Sequence, residues 1–373
     1  MKALSPRIAA TGASKHLICK SLEEPIRRKR STLADVAKLA GVSAVTVSRA
    51  LRQPRMVSAA LRHRVDAAVS ELAYVPDVAA SRLASARTHT IGVIVSSLTN
   101  GVFADYLRAV HDTLLPAGFQ VVVFSSRYSL TEEENVIATL IGQHPEAIII
   151  AGIDQTPHAR RLLEHSGVPV VQTFELTDDP IDINVGLSQR QGGYEATRFL
   201  IAGGHRRIGY IAARLDARAH ARMAGYNRAM EEAKLPTDGL VATTPKPSSV
   251  SAGGELLGLI LDRGAELEAL FCCDDNLALG ALFECQRRGI AVPDRISIVG
   301  FNDLEFAACA HPPITSVATP RYEMGRLASE IVMKVIETGE RPDNRRIDVG
   351  FAIRERGSTR ATAQPQARRA LSE

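Results

Sequence analysis

The stretch "LADVAKLAGVSAVTVSRAL", residues 33–51, decides how the first part of the chain folds. Apolar residues recur at helical spacing through its first eight positions, and Gly41 then supplies the conformational freedom that a tight turn needs. Ser43 is a good N-cap for a second helix, in which Val47 and Leu51 lie four residues apart on the inner face. Two short helices joined by a tight turn predict a helix-turn-helix, whose second helix can lie in the DNA major groove.

A third helix is predicted to support this pair. The second helix starts with Ala44-Val45-Thr46-Val47, and β-branched residues lose side-chain freedom in a helix, so its stability must come from packing. The stretch "VSAALRHRVDAAVSELAY", residues 57–74, begins with a cap at Ser58 and provides the partner. Its predicted inner positions are Leu61, Val65, Val69 and Leu72.

The charge of the chain is divided unevenly. Up to Arg87 there are 16 Lys and Arg against 6 Asp and Glu, whereas the remainder has 29 against 35. A basic first part on an acidic body indicates that only the first part meets a polyanion. The alternative is a solvated basic tail, because "RRKR" at 27–30 supplies four of these charges.

Composition argues against several other classes of protein. The five cysteines are odd in number and form no CxxC pair, which disfavours a disulfide framework and a zinc site. We find no GxGxxG, Walker, GxSxG or HExxH motif and no ligand-spaced group among the ten histidines. We therefore expect no enzymatic activity, no cofactor and no metal. Neither a membrane span nor a signal peptide is predicted, so we expect a cytoplasmic, nucleoid-associated protein.

The rest of the chain alternates between apolar strand-like runs and amphipathic helical segments such as "DYLRAVHDTLL" and "NLALGALFECQRRG". This alternation predicts an α/β body with parallel sheets covered on both faces, and ligands of such folds bind outside the carboxyl ends of the strands. The predicted strands lie within 90–98, 119–126, 147–153, 168–174, 207–213, 269–275 and 296–301.

These residues carry a family resemblance. The stretch "TLADVAKLAGVSAVTVSRAL", followed by "VSAALRHRVDAAVSELAYVPDVAASRLA", resembles the DNA-binding headpiece and hinge of the lac/galactose repressor family, and the resemblance continues to about residue 359. It implies that Ala44, Val45 and Arg49 read bases, Arg49 pairing with either a guanine or a phosphate. It also implies that the hydroxyls of four further residues contact phosphates: Thr32, Ser43, Thr46 and Ser48.

The segment "PDVAASRLA", residues 76–84, is too short to be a stable helix alone in water. The resemblance implies a hinge helix that folds only on the operator and pushes Leu83 into the minor groove, with Ala80 facing the partner hinge. The alternative for Leu83 is a linker residue that packs on the body.

The predicted organisation has five parts. The resemblance also implies that the body, residues 88–360, is similar to periplasmic sugar-binding proteins and has two lobes joined by three crossovers. Residues 1–30 are either a disordered basic arm or an artefact of start-site choice. The parts are 1–30, a helix-turn-helix domain at 31–76, the hinge and linker at 77–87, an effector-binding and dimerisation domain at 88–360, and a tail at 361–373. The lobes are predicted at about 89–175 plus 319–345 and at 176–318 plus 346–358.

Polar side chains follow the predicted strands, where a ligand would bind. The resemblance places Arg222, three residues before Gly225, on the family's ligand-clamping arginine. It matches Asp274 and Asn302 to positions that grip sugar hydroxyls, and Asp275 to a structural aspartate. The candidates lie at the ends of five predicted strands. They are Ser97, Thr99 and Phe103 at the end of 90–98, Asp154 after 147–153, Arg218 and Arg222 after 207–213, Asp274 at the end of 269–275, and Asn302 after 296–301.

The charge of these residues indicates the ligand. Two convergent arginines suit a carboxylate or a phosphate, whereas Asp and Asn suit hydroxyls. The chain has no tryptophan to stack on a ring sugar, and Phe103 is the obvious apolar wall. The stretches "SLTNGVFAD", "ARLDAR" and "TPRYEMG" resemble gluconate-responsive repressors, which implies D-gluconate, with 2-ketogluconate or a phosphorylated sugar as alternatives. The alternative for Arg218 is a surface charge, with Arg222 alone binding the ligand.

We therefore expect a homodimer that binds double-stranded operator DNA and is released by a small-molecule sugar-acid effector. The tail from residue 362 lacks the leucine heptads of a tetramerising helix, which favours a dimer. Two alternatives remain: a sugar-binding protein without a regulatory role, and a regulator that responds to a protein co-repressor.

Overall fold

A computed structural model describes residues 31–75 and 87–360 of the chain. The chain divides into two compact units, residues 1–86 and 87–373. The predicted hinge, with Ala80 and Leu83, lies outside the described residues, as do the N-terminal extension and the tail.

The first unit contains the predicted helix-turn-helix. Thr32 caps the first helix in a reciprocal capping box with Asp35, and Gly41 ends it in the left-handed conformation at φ 64°. Ser43 caps the second helix by accepting a hydrogen bond from the amide of Thr46, as predicted. The helices are α1 (Leu33–Ala40), α2 (Ala44–Arg52) and α3 (Ala59–Glu71), with a 3-10 turn at Pro54–Met56.

A small apolar core holds these three helices together. Val36, Val47 and Val65, one from each helix, are fully buried, and Tyr74 closes the core after α3. The β-branched residues that weaken α2 as an isolated helix therefore include its main packing side chain. Tertiary packing stabilises α2 where intrinsic propensity does not.

The second unit contains twelve strands in two six-stranded sheets. The seven predicted strands are all present, and five further strands complete the sheets. The strands are β1 (Thr90–Val95), β2 (Gln120–Ser125), β3 (Ala147–Ala151), β4 (Val170–Thr173), β5 (Ile183–Gly186), β6 (Ile208–Ala213), β7 (Val241–Thr244), β8 (Ala269–Cys272), β9 (Ser297–Asn302), β10 (Thr315–Ala318), β11 (Arg346–Asp348) and β12 (Ala352–Arg354).

The first sheet has the order β11-β5-β4-β3-β1-β2, with every pair parallel. The second has the order β12-β10-β9-β8-β6-β7, in which only β12 runs antiparallel to its neighbour. The core strands β1, β3, β6, β8 and β9 are buried along their whole length, as expected for parallel strands with helices on both faces.

Helices cover both faces of each sheet. In the second lobe, α7 (Gln189–Ala202) and α8 (Ala217–Glu232) cross closely, and a Cβ on Gly225 would lie 2.1 Å from the carbonyl oxygen of Arg190. The helices of the first lobe are α4 (Ala104–Leu114), α5 (Leu130–Gly142), α6 (Pro157–Glu164) and α12 (Arg321–Thr338). Those of the second are α7 (Gln189–Ala202), α8 (Ala217–Glu232), α9 (Val250–Asp262), α10 (Asp275–Arg287) and α11 (Glu305–Cys309).

The predicted lobe boundaries at 175/176 and 345/346 are wrong. Strand β5 pairs with β4, and β11 pairs with β5, so both belong to the first sheet. The first and third crossovers therefore follow Gly186 and Asp348 rather than preceding these strands. The remaining crossover follows Ala318, close to the predicted 318/319, because α12 packs on α4 of the first lobe.

Within residues 31–75 and 87–360, no helix combines the length and apolarity needed to cross a membrane. The same described residues hold no group of three His, Cys, Asp or Glu side chains placed to bind a metal ion.

Candidate DNA-binding surface and effector cleft

One face of α2 presents the residues predicted to read bases. Ala44, Val45 and Arg49 are exposed, and Val45 is 67% accessible although it is apolar and β-branched. The opposite face buries Val47 and Ala50 in the core of the first unit. The helix therefore displays small apolar groups and one guanidinium outward, the chemistry that contacts thymine methyls and guanine edges.

The hydroxyls predicted to contact phosphates lie at the starts of α1 and α2. The Thr32 hydroxyl donates to the Asp35 carboxylate at 2.7 Å, and the Ser43 and Thr46 hydroxyl oxygens are 2.8 Å apart. Ser48 is half-buried one turn into α2. Three of these hydroxyls thus stabilise the helix starts, where free backbone N–H groups also favour an anion.

In the second unit, a cleft of about 390 Å³ opens at the carboxyl ends of strands from both sheets. This is the position expected for a ligand site in parallel α/β folds. Six of the eight predicted effector residues line the cleft: Ser97, Thr99, Arg218, Arg222, Asp274 and Asn302.

The other two predicted residues lie elsewhere. Asp154 lines a smaller adjoining cavity, which shares Tyr128, Asp216 and Arg218 with the cleft. Phe103 is 1% exposed and does not line the cleft, so its prediction as an apolar wall is wrong. Its ring packs edge-on against Phe174, beneath the Arg218 guanidinium.

Arg222 is held rigidly on α8. Its Nε donates to Gln189 Oε1 at 2.8 Å, and its Nη1 donates to the carbonyl oxygen of Cys273 at 2.6 Å. The guanidinium lies 3.8 Å from the centre of the Phe301 ring. None of the described residues hydrogen-bonds Nη2, and the side chain lines the cleft. The structure therefore orients a buried cation with donor capacity left for a ligand.

Arg218 bridges the two lobes one helical turn earlier. Its Nη2 donates to Asp216 at 3.2 Å in its own lobe and to the Ser96 hydroxyl at 3.3 Å in the first lobe. Burial opposes ionisation of Asp216, but Arg218, the Ala219 amide and Arg222 outweigh it and lower the pKa of Asp216. Arg218 is thus a structural contact across the cleft as well as a cleft-lining cation.

Asp274 and Asn302 end neighbouring strands of the second sheet. Asp274 Oδ1 accepts from the Ser248 hydroxyl at 2.8 Å and from the Leu277 amide at 3.1 Å, while burial raises the pKa of Asp274. Asn302 has φ 103°, a conformation rare for a residue with a side chain, and its carbonyl accepts from Arg321. Both residues line the cleft.

Asp275 has a structural role, in line with the resemblance. Its carboxylate is fully buried and accepts from the Leu304 amide at 2.7 Å and the Ser316 hydroxyl at 2.6 Å. Burial raises the pKa of Asp275 to about 7, and these two hydrogen bonds partly offset the rise.

The two units match two family models. Residues 32–77 match the bacterial regulatory proteins, lacI family, and residues 197–359 match a periplasmic binding protein-like domain. The HTH-type transcriptional regulator GntR of Pseudomonas aeruginosa is 41% identical over 331 residues, which cover 88% of this chain and 96% of that protein. The chain belongs to the lacI family. It is a DNA-binding transcriptional regulator.

Solved structures of other lacI-family proteins have the same fold. A regulator from Silicibacter pomeroyi is 33% identical with a TM-score of 0.83, covering 88% of this chain and 100% of its own. The lac repressor dimer bound to operator and the anti-inducer ONPF is 26% identical with a TM-score of 0.77, covering 89% and 100%.

Several residues of this lacI-family cleft were not among the predictions. The Tyr128 hydroxyl accepts from Asn100 Nδ2 at 2.9 Å, and the Arg214 guanidinium lies 4.4 Å from the centre of the Tyr128 ring. The clearest missed signal was Arg214, which is in the same charged loop, "ARLDARAHAR", as the two predicted arginines. The missed residues that line the cleft include Asn100, Tyr128, Arg214, Asp216, Ser248 and Asn276.

Proposed function

We propose that the protein is a transcriptional repressor whose affinity for operator DNA falls when a sugar acid, D-gluconate, occupies the cleft. The observation that carries this proposal is the held guanidinium of Arg222, with an amino group left for a ligand, in a cleft that also contains Asp274 and Asn302. A guanidinium matches a carboxylate, and carboxyl and amide groups match hydroxyls. An open-chain sugar acid carries both.

The headpiece supports the DNA half of the proposal. Exposed Ala44, Val45 and Arg49 are suited to the major groove, and the hydroxyls at the starts of α1 and α2 are suited to phosphates. In the proposed mechanism the hinge at 77–87 orders on the operator, with Leu83 as its minor-groove wedge.

The effector acts through a difference in affinity between two states. It releases the operator only if it binds the DNA-free state more tightly, by a coupling free energy of roughly 1–3 kcal/mol or more. The Arg218 contact with Ser96 spans the cleft, so a ligand there acts on the closure of the lobes. Lobe movement then separates the paired hinges, which melt.

We also propose a homodimer, as in the lac repressor structure described above. The groove between α9 and α10 exposes Leu259 and Phe283 by 49% and 42%, and a second copy of the chain would cover them. A two-fold dimer presents two headpieces to a pseudo-palindromic operator. This role in DNA regulation supports a cytoplasmic, nucleoid-associated protein without catalytic activity.

Two other functions make different predictions. A repressor of the same family with 2-ketogluconate or a phosphorylated sugar as effector would use the same cleft with a different ligand. A sugar-binding protein without a regulatory role would bind the ligand but no specific DNA.

Fluorescence anisotropy tests the proposal. An operator duplex is first selected from random DNA by the full-length protein, and the affinity is then measured with and without D-gluconate, with D-glucose as the control. We expect D-gluconate to weaken operator binding at least fivefold and D-glucose to leave it unchanged. Failure to select any duplex, or equal operator affinity with and without D-gluconate, would contradict the proposal.

A further inference from the structure

A second, smaller cavity of about 50 Å³ adjoins the effector cleft beside Arg218. It lies where β1, β2 and β3 end and where α5 begins, and the start of α8 in the second lobe completes its lining. Arg218, Asp216 and Tyr128 line both spaces, which makes the small cavity an extension of the cleft. Its polar lining from the first lobe includes Ser96, Ser126, Ser129, Glu133 and Asp154.

Two of these side chains are buried and keep hydrogen-bonding capacity for a ligand. Ser126 is only 2% exposed, and none of the described residues hydrogen-bonds its hydroxyl. Glu133 is 7% exposed, and the hydrogen bond of its carboxyl group is from Gln155 Nε2 to Oε1, at 3.2 Å. A buried polar group is normally satisfied, so a hydroxyl and a carboxyl oxygen turned to the same small space indicate a binding partner there.

The size and charge of the cavity restrict that partner. A cavity needs on the order of 10–15 Å³ of such volume to hold one water, so this one has room for a hydroxymethyl group. A hydroxyl both donates and accepts, which satisfies Glu133 and Ser126 together. A second carboxylate would instead face three acids, Glu133, Asp154 and Asp216, against the single cation Arg218. Like charges a few ångströms apart repel strongly where water is scarce.

We propose that the small cavity receives the uncharged, hydroxylated end of the effector, and that Glu133 selects aldonates, with one carboxylate, against aldarates, with two. This inference rests on the proposed function, in which Arg222 takes the carboxylate at the other end of the ligand. It assigns an orientation to the ligand and a specificity role to a residue outside the predicted site.

The environment of Glu133 adds a pH dependence. Burial raises the pKa of Glu133 to about 7; the Gln155 hydrogen bond and Arg218 lower it, and Asp154 raises it further. The other titratable groups that line the cavity are Tyr128 and Asp216. A protonated Glu133 can donate to a second carboxylate, so aldarate binding strengthens as pH falls from 8 to 6. The terminal hydroxyl of gluconate can donate to an ionised Glu133 or accept from a protonated one. The affinity for gluconate therefore changes less with pH.

Isothermal titration of the full-length protein with D-gluconate and D-glucarate tests this inference. We expect wild type to prefer D-gluconate at least tenfold at pH 8. Glu133→Gln should reduce that preference to below threefold, because the amide no longer repels the second carboxylate of D-glucarate. Glu132→Gln removes the same charge from a neighbouring, more exposed position on α5 and should keep the wild-type preference.

Wild type alone provides a second readout that does not depend on the folding of a variant. D-Xylonate, which is one carbon shorter, should bind at least fivefold more weakly than D-gluconate because it leaves the small cavity unfilled. Equal affinity for D-gluconate and D-glucarate, or an unchanged preference in a folded Glu133→Gln variant, would overturn this inference and leave the proposed function standing. Wild type that binds none of the three acids would overturn both.

Discussion

Replacing Arg222 tests the proposed effector site most specifically. The residue combines two fixed hydrogen bonds, to Gln189 and to the Cys273 carbonyl, with stacking on Phe301. None of the described residues accepts a hydrogen bond from Nη2 of Arg222, which we propose donates to the ligand carboxylate. Replacing Arg222 removes these donors and leaves the other residues of the cleft unchanged. Arg222→Ala should therefore abolish the response to D-gluconate while operator binding persists.

The magnitude follows from the number of bonds lost. Nη2 carries two N–H groups, and a hydrogen bond to a charged group contributes about 1.5–3 kcal/mol, so two such bonds to the ligand contribute at least about 3 kcal/mol. That loss weakens binding on the order of a hundredfold, at about 1.4 kcal/mol per factor of ten. Arg222→Lys keeps the charge without the planar fork and should lose roughly tenfold. Arg222→Ala also leaves the Cys273 carbonyl without its donor, which costs about 1–3 kcal/mol of stability.

The assay combines isothermal titration with D-gluconate, operator anisotropy and a thermal melt. Arg228→Ala is the matched control, because Arg228 is on the same helix but is exposed and pairs with Glu232. The control should keep wild-type affinity for D-gluconate. Arg222→Ala that binds D-gluconate within threefold of wild type would refute the role assigned to Arg222.

Three further predictions concern the hinge, a buried acid and a helix crossing. Leu83→Ala should weaken operator binding without changing effector affinity; unchanged gel-shift titrations would contradict the hinge role. Burial in the folded protein raises the pKa of Asp275 from 3.8 to about 7. Between these two pH values the folded protein holds a proton that the unfolded chain has released. The free energy of unfolding therefore falls as pH rises through this range, by up to about 1.4 kcal/mol per pH unit. Asp275→Asn should remove this pH dependence, which urea unfolding at pH 5 and pH 8 measures. Gly225→Ala should lower Tm by several degrees because its Cβ meets a backbone carbonyl, whereas Gly142→Ala, with open space around it, should not; equal melts would contradict this packing argument.

The sequence predicted those elements whose signal is local. The turn at Gly41 and the cap at Ser43 are determined by neighbouring residues, and both are found where predicted. The buried strands are apolar throughout, so they are recognisable without knowing their partners. Strands β11 and β12 have three residues each, with mixed polarity and partial exposure, and only their pairing makes them strands. The lobe boundaries were wrong because only the pairing of β5 with β4, and of β11 with β5, assigns these strands to the first sheet.

The site was predictable to the extent that its residues follow strands. Arg222, Asp274 and Asn302 do so, and the cleft brings them together. Phe103 was misplaced because its burial depends on Phe174, which is far along the chain. Glu133 gave no signal at all, because an acid at the start of a surface helix is ordinarily solvated. Only the fold places it beside Asp154 and Arg218 in a cavity.

The central claim is that the arginine-containing cleft binds a sugar acid. Isothermal titration of the purified full-length protein with D-gluconate, 2-ketogluconate, 6-phosphogluconate and D-glucose tests it most directly. We predict saturable binding of one site per chain by D-gluconate and no heat of binding from D-glucose, which lacks the carboxylate. D-Glucose binding as tightly as D-gluconate, or no binding by any of the three acids, would contradict the claim.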